Sequence, residues 1–268
     1  MTTTVPKEEQ RPARELLVEV TVTTDAVRTK SWLSPEISGS GAPLAVIGST
    51  TSPLSTLDSA GLGWVLPLVR FLDEPLDQLR GDPDPVASGA QGYDSAGKDV
   101  TTVADNYRQS TAKDTEGWSG DAASGYREAG GQYADGLAAL GESSTTVASA
   151  LTGAGEVVAQ VVDIVTRLVT EAVGKIVPIM SEAVAAAPAT FGQSIAAAIP
   201  QCVQIAVDAG QQVLGKLAAL LSSGQNLLKL VDGAVAVMQV VQKVLSAISQ
   251  QSTQPESQSK NQLPQEQA

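Results

Sequence analysis

Glu116-Gly117-Trp118-Ser119-Gly120 decides the fold, because it separates two long stretches that carry the same helical repeat. Before it, over residues 86–111, apolar or small residues recur in alternating steps of four and three. After it, the same alternation restarts and continues over residues 123–172. Residues at this spacing form one seam along a helix. The sequence therefore predicts an antiparallel helical hairpin over about residues 83–177, with Trp118 at its bend.

In the second half of this hairpin, residues 157–177 are rich in valine, which by itself favours a strand. The charges of these residues alternate in sign every four positions and lie on one face only in a helix; they are Asp163, Arg167, Glu171 and Lys175. Helix is therefore predicted. Residues 121–177 hold eight glycines, each costing about 1 kcal/mol relative to alanine inside a helix. Either another backbone approaches these glycines closely, or the helix kinks at residues 130–131 or 153–155.

The segment before the hairpin has a different character. Valines alternate with polar residues over residues 16–24, which predicts a half-buried strand. Residues 37–57 are rich in Ser, Thr, Gly and Pro and are typical of a loop or linker. An apolar helix is expected over residues 62–79, ended by Gly81-Asp82-Pro83. A carboxylate of Asp82-Pro83-Asp84-Pro85 is expected to cap the first hairpin helix.

The region beyond Pro178 predicts further helices, chiefly over residues 203–221 and 227–248. Their apolar faces are broader than one seam needs, which indicates burial on two sides, as in a bundle or a multimer. Residues 183–207 carry no charge, so a membrane span competes there with a buried or interfacial helical hairpin. After Ser249 the composition is typical of a disordered tail.

The predicted fold is thus all-α: a long antiparallel hairpin extended by an apolar helical bundle, with an irregular amino-terminal segment and a disordered carboxyl-terminal tail. Four ranges follow from this organisation. Residues 1–60 form an accessory segment, and 61–177 hold the hairpin with its preceding helix. An apolar helical subdomain occupies 178–249, and 250–268 form the tail.

Composition argues against catalysis and against anionic partners. The chain has 268 residues, a formal net charge of −12, 3% aromatic residues, no histidine and a single cysteine, Cys202. This charge would repel nucleic acid and an anionic bilayer. No disulfide within the chain and no Cys/His zinc site can form, and no catalytic motif is present. We expect no enzyme activity, no cofactor and no metal, although the acidic residues could hold a divalent cation weakly instead of forming a solvated surface. Cys202 is expected to be a small buried apolar residue and not a reactive thiol.

The two helices and the turn that holds Trp118 and Gly120 resemble the Trp-x-Gly helical-hairpin family exported by type VII (ESX) secretion systems of Gram-positive bacteria. Residues 71–83, taken with 118–126, are similar to the longer members that serve as export modules of polymorphic toxins. The resemblance implies that the hairpin tip is recognised by a partner, with Tyr126 and Tyr133 as further contacts. The family's Tyr-x-x-x-Asp/Glu signal is missing, because Gly130 and Leu137 stand four residues after those tyrosines.

Two alternatives stay open for Trp118. The indole either covers the helix ends, as a large side chain at a tight turn often does, or forms part of a recognition surface. The tyrosines on the seam are either core residues or binding contacts.

The resemblance implies a type VII secretion substrate or carrier that acts by helix–helix association and self-assembly. Its expected partners are itself or a paired helical-hairpin protein, and a secretion ATPase. The amino terminus lacks a classical signal-peptide pattern, so secretion or cell-surface display by a non-classical route is expected, with a cytoplasmic stage before export. The alternative is a membrane-active or pore-forming helical protein.

Overall fold

The computed structural model describes residues 13–37, 42–49 and 51–252. In those ranges every regular element is helical, which confirms the all-α class. The α-helices are α1 Ala13–Arg28, α2 Ala45–Ser49, α3 Ser55–Ser59, α4 Leu66–Val69, α5 Glu74–Leu79, α6 Asp84–Asp114, α7 Asp121–Thr190 and α8 Gln193–Ser252, with 3₁₀ turns at Pro35–Ile37, Gly63–Val65 and Arg70–Leu72. Residues 1–12 of the accessory segment and 253–268 of the predicted tail lie outside the described residues.

The strand predicted over residues 16–24 is wrong, because this stretch lies within α1. Leu16, Val20 and Thr24 are buried, whereas Val18 and Val22 are exposed. Burial therefore repeats every four residues, as on one face of a helix. Each threonine hydroxyl of the segment also donates to the carbonyl four residues earlier, as Thr24 does to Val20 at 2.9 Å.

The helix predicted over residues 62–79 is divided into short pieces. Pro67 and Pro75 each lie in the first turn of a new helix, α4 and α5. Proline favours that position because it has no N–H to leave unpaired there. The region predicted as a loop over 37–57 likewise contains α2 and α3. The cap before α6 is present, since the Asp84 amide donates to Asp82 Oδ1 at 3.0 Å.

Beyond residue 177 the prediction of separate pieces is wrong, because α7 and α8 continue through internal prolines. Pro178 and Pro188 lie within α7, and Pro200 lies within α8. A proline inside a helix removes one hydrogen bond and costs about 3 kcal/mol. All three prolines face solvent, whereas Ile176 and Met180 on either side of Pro178 are fully buried. Packing of the buried face therefore holds the helix together. Within the described residues, no helix has an apolar stretch long enough to cross a membrane.

The chain forms two compact units, each assembled from separate stretches of sequence. The first unit combines residues up to Thr24, Ser95–Thr146 and the chain from Asp232 onward. Its small apolar cluster is built from Leu16, Val20, Ala139, Val237 and Val241. A hydroxyl pair, Thr24 to Thr146 at 2.5 Å, is buried in the same unit.

The second unit comprises Asp25–Asp94 and Val147–Val231 and has the larger core. Valines of α7 supply much of this core, and α3 to α5 add leucines that are almost fully buried. Residues 30–37 are fixed to the long helices by polar contacts. Lys30 pairs with Glu156 at 2.8 Å, and Gln160 donates to the Ile37 carbonyl at 2.9 Å. The four sequence ranges proposed as domains stay a prediction.

Candidate functional site

The predicted hairpin is present in the first unit, and its two helices meet through small residues. The buried positions along α6 there are Gly97, Ala104 and Thr111, seven residues apart. Along α7 the residues seven apart from Ala123 to Ser144 are buried as well, and so are Ala134, Gly136, Ala139, Gly141, Ser143 and Thr146. The predicted seam positions between these heptad residues, such as Tyr107 and Tyr133, are half-buried or exposed. The buried seam is therefore one residue wide on α6 and broader on α7.

Gly97 and Gly141 set the closest approach of the two helices. A Cβ on Gly97 would lie 2.7 Å from the Gly141 carbonyl oxygen, and a Cβ on Gly141 would lie 2.8 Å from the Gly97 carbonyl oxygen. Real Cβ atoms do not approach other atoms so closely, so only glycine fits at either position. Of the two alternatives for these glycines, close approach of another backbone is found at this point, and α7 is continuous from Asp121 to Thr190.

Polar and aromatic pairs flank the seam. Arg108 of α6 pairs with Asp135 of α7 at 2.8 Å. Tyr107 and Tyr133 stack at a tilt, with ring centroids 4.8 Å apart. Tyr133 is half-buried in this pair. It therefore lies along the body of the hairpin, away from the bend.

The bend occupies residues 115–120 and is closed by backbone hydrogen bonds. The Trp118 amide donates to the Thr115 carbonyl at 2.9 Å. Gly120 has a φ of +91°, a conformation that a side chain would strain, and it directly precedes α7. Its carbonyl accepts from the Ser124 amide at 3.2 Å. Glycine at this position is therefore required by the turn itself.

Arg127, which the sequence did not single out, holds the bend from the first turns of α7. Its Nε donates to Thr115 Oγ1 at 2.9 Å, and one Nη donates to the carbonyls of Thr115 and Trp118 at 2.6 and 2.7 Å. Carbonyl groups at a helix carboxyl end lack partners within their own helix. The planar guanidinium supplies several donors in a fixed geometry. The tip is consequently a rigid turn.

Trp118 lies on the outside of this turn. Its ring packs at a tilt against Tyr126, with centroids 5.6 Å apart. Both side chains remain about half exposed, Trp118 at 55% and Tyr126 at 49%. An inward-packed indole would be largely covered. The structure therefore places Trp118, Gly120 and Tyr126 together at the tip, with the aromatic pair partly exposed to solvent.

Few other side chains in the described ranges are candidates for chemical reactivity. Burial raises the pKa of the Cys202 thiol, so the unreactive protonated form dominates at neutral pH. A hydrogen bond from Lys175, and then its charge, lower the pKa of Glu171 at the surface. In the part of the chain that the structure describes, no group of three or more His, Cys, Asp or Glu side chains could hold a metal ion.

The mutual register of Arg127 and Thr115 could not be read from the sequence, because the two residues belong to different elements. A weak signal was present: an arginine two turns into a helix that directly follows a tight turn.

Comparison with known proteins yields no relationship: no family model, no curated protein and no solved structure matches this chain.

Proposed function

We propose that this protein is a substrate or carrier of a type VII secretion system and that the hairpin tip is its recognition element. The proposal is carried by the half-exposed Trp118–Tyr126 pair on a turn held by Arg127 and Gly120. Aromatic side chains that are rigid and exposed are typical centres of protein interfaces. The partner would cover the indole with one of its own helices and complete a composite surface.

Three further parts of the proposal follow from the resemblance. The chain acts by binding, without catalysis or a cofactor. Its partners are itself or a paired helical-hairpin protein, together with the secretion ATPase, and the paired protein supplies the Tyr-x-x-x-Asp/Glu signal that this chain lacks. It is made in the cytoplasm and leaves the cell through the type VII system.

Replacing Trp118 by alanine tests the proposal. Export of the tagged chain is measured in a Gram-positive host with a type VII system and in the same host without the secretion ATPase. We expect Trp118→Ala to lower the exported fraction by roughly tenfold or more, as for a central interface tryptophan. Trp64→Ala is the matched control, because Trp64 is 46% exposed but belongs to the second unit. Unchanged export of the Trp118 variant, with helicity retained, would remove the tip from the mechanism.

A second candidate function is association with membrane surfaces through the turn between α7 and α8. Phe191 stands at this turn with a φ of +51° and is 97% exposed. No charged residue occurs over residues 183–207. An aromatic ring on an uncharged tip can enter the boundary between lipid headgroups and acyl chains.

Vesicles separate this candidate from the first. If the turn binds membranes, the chain co-sediments with liposomes or releases a trapped dye at neutral or acidic pH. Phe191→Ser should then lower binding severalfold, since most of the buried apolar area is lost. Phe71→Ser controls for loss of a phenylalanine elsewhere. Liposomes that neither bind the chain nor leak eliminate this candidate.

A further inference from the structure

One face of α8 presents large apolar side chains to solvent at intervals of seven residues. Within the second unit these are Val207, Leu214, Leu221 and Leu228, and the three leucines are 62–69% exposed. The opposite face, with Ala206, Val213 and Leu227 among its residues, is buried in the core of that unit. These four residues are here named the α8 strip. Their side chains take no part in the core of the second unit.

The α8 strip has the pattern of one side of a coiled coil. A seven-residue spacing keeps side chains aligned when two helices supercoil around each other. Small exposed residues lie between the leucines, namely Gly215, Ala218 and Ser222. They allow a second helix to approach closely. The strip spans three heptads, or about 32 Å of helix at 1.5 Å per residue.

Charge on this exposed face is confined to its two ends. Asp208 stands beside Val207, Lys229 stands beside Leu228, and the exposed positions between them are uncharged. The whole of α8 carries two aspartates and three lysines. Its net charge is thus +1 in a chain of −12. The uncharged middle of this face therefore adds no repulsion between two copies of an acidic chain.

We propose that the α8 strip binds the α8 strip of a second copy of this chain in antiparallel orientation. With the two-fold axis midway between Leu214 and Leu221, each of these leucines faces the other in the partner, and Val207 faces the partner's Leu228. Asp208 then lies within two residues, about 3 Å along the axis, of the partner's Lys229. The symmetry repeats that charge pair at the other end.

A groove in the second unit receives the partner's side chains. Phe71 and Leu72, with the exposed Glu74 next to them, border it on one side, and Val207, Gly210 and Leu214 border it on the other. Its volume is about 430 Å³. Gly210 lets the Phe71 ring lie directly on the α8 backbone, because a Cβ at this position would be 3.0 Å from the ring. In the antiparallel pair the partner's Leu221 and Leu228 come over this groove.

This inference deepens the self-assembly part of the proposed function and rests on no export signal. The heptad seam of α6 and α7 is already filled within the chain, so self-association needs another face. The two proposals also fail separately. Loss of export on mutation of Trp118 tests the tip, whereas the mass of the purified chain tests the α8 strip.

Light scattering on the full chain after size exclusion tests the pairing. We expect a dimer at about 100 μM, a concentration at which an interface with a Kd near 1 μM is almost fully occupied. Leu214→Glu with Leu221→Glu should give a monomer with unchanged helicity. Glutamate at Ser110 and Gln109, exposed positions of α6, provides a matched control that should remain dimeric. A wild-type monomer at this concentration, or a dimer that survives the leucine changes, overturns the proposal.

A charge exchange tests the antiparallel orientation. Asp208→Lys should raise the dimer Kd about fivefold at low salt, because each copy then opposes a lysine with a lysine. Adding Lys229→Asp in the same chain restores opposite charges at both ends, so the Kd should return to the wild-type value. Failure of the second change to restore the affinity overturns the antiparallel pairing.

Discussion

The two halves of α7 are packed by different means, although they belong to one helix. In the first unit it meets α6 through glycine, alanine and serine, and the backbones come into direct contact at Gly97 and Gly141. In the second unit its own valine, isoleucine and methionine side chains are almost fully buried. The first half therefore gains precise spacing and little apolar burial, whereas the second half gains most of the burial. Apolar burial and close backbone contact are thus found in different parts of the same helix.

The largest effect is expected from a cavity in the second half. Ile176 is fully buried in the core of the second unit. Truncation to alanine removes buried methyl and methylene groups and leaves a cavity, so the free energy of unfolding should fall by about 3 kcal/mol. Urea denaturation followed by circular dichroism measures the change. Val184→Ala, at an exposed position of the same helix, should cost less than about 1 kcal/mol. Equal effects of the two variants would contradict the tight burial of Ile176 in this core.

A smaller loss of stability is expected in the first half of α7, from a side chain that is made larger. Gly141→Ala adds a methyl group, which in an open helix would stabilise by about 1 kcal/mol. Here the Cβ meets the Gly97 carbonyl oxygen at 2.8 Å, so we expect a net loss of about 1–2 kcal/mol. At Gly125 nothing lies within 4 Å of an added Cβ, and Gly125→Ala should stabilise. If Gly141→Ala stabilised as much as Gly125→Ala, the close approach would be disproved.

An effect confined to one turn is expected at the tip. Arg127→Lys keeps the charge but cannot reach three acceptors at once. We expect residues 115–120 to exchange amide hydrogens roughly tenfold faster, corresponding to about 1.4 kcal/mol of local stability. Exchange measured by mass spectrometry on peptides that cover the turn gives this value. Arg108→Ala, which removes exposed ion pairs only, should change exchange at the turn little. Unchanged exchange in the Arg127 variant would show that the bend is held by its backbone alone.

Residue spacing was enough to predict the hairpin, since positions seven apart from Gly97 to Thr111 and from Ala123 to Ser144 are buried as expected. Residue spacing failed to predict the secondary structure where a strand period and a helix period fit the same residues. Valines over 16–24 alternate as in a strand, yet Leu16 and Val20 also match a helical face, and packing in the folded unit decides between the two. The break expected between residues 221 and 227 is also absent, because α8 continues through it and buries Ser223 and Leu227 there.

At the tip, Trp118 and Gly120 were predictable because a turn between two seams requires a break with glycine. The exposure of the indole was not, since both an inward and an outward ring satisfy the same spacing. The role of Arg127 was not predicted for a different reason. Its hydrogen-bond acceptors lie on residues 115 and 118, and only the folded turn brings them within reach. The local sequence pattern thus predicts the bend. The hydrogen bonds that hold it depend on how Arg127 and residues 115–118 are placed in the folded chain.

The facing pair Gly97 and Gly141 also acts as an axial stop. Sliding one helix along the other by a turn would bring side chains where only backbone fits. Extra residues inserted into the turn at 115–120 must therefore loop outward, because they cannot shift the helices. Removal of seven residues from α6 alone, between Gly97 and the turn, would leave the facing part of α7 too long. Trp118 would then no longer lie at the end of the hairpin. The distance from the glycine pair to the tip is in this sense a fixed length, and tolerance to length change is confined to the loop.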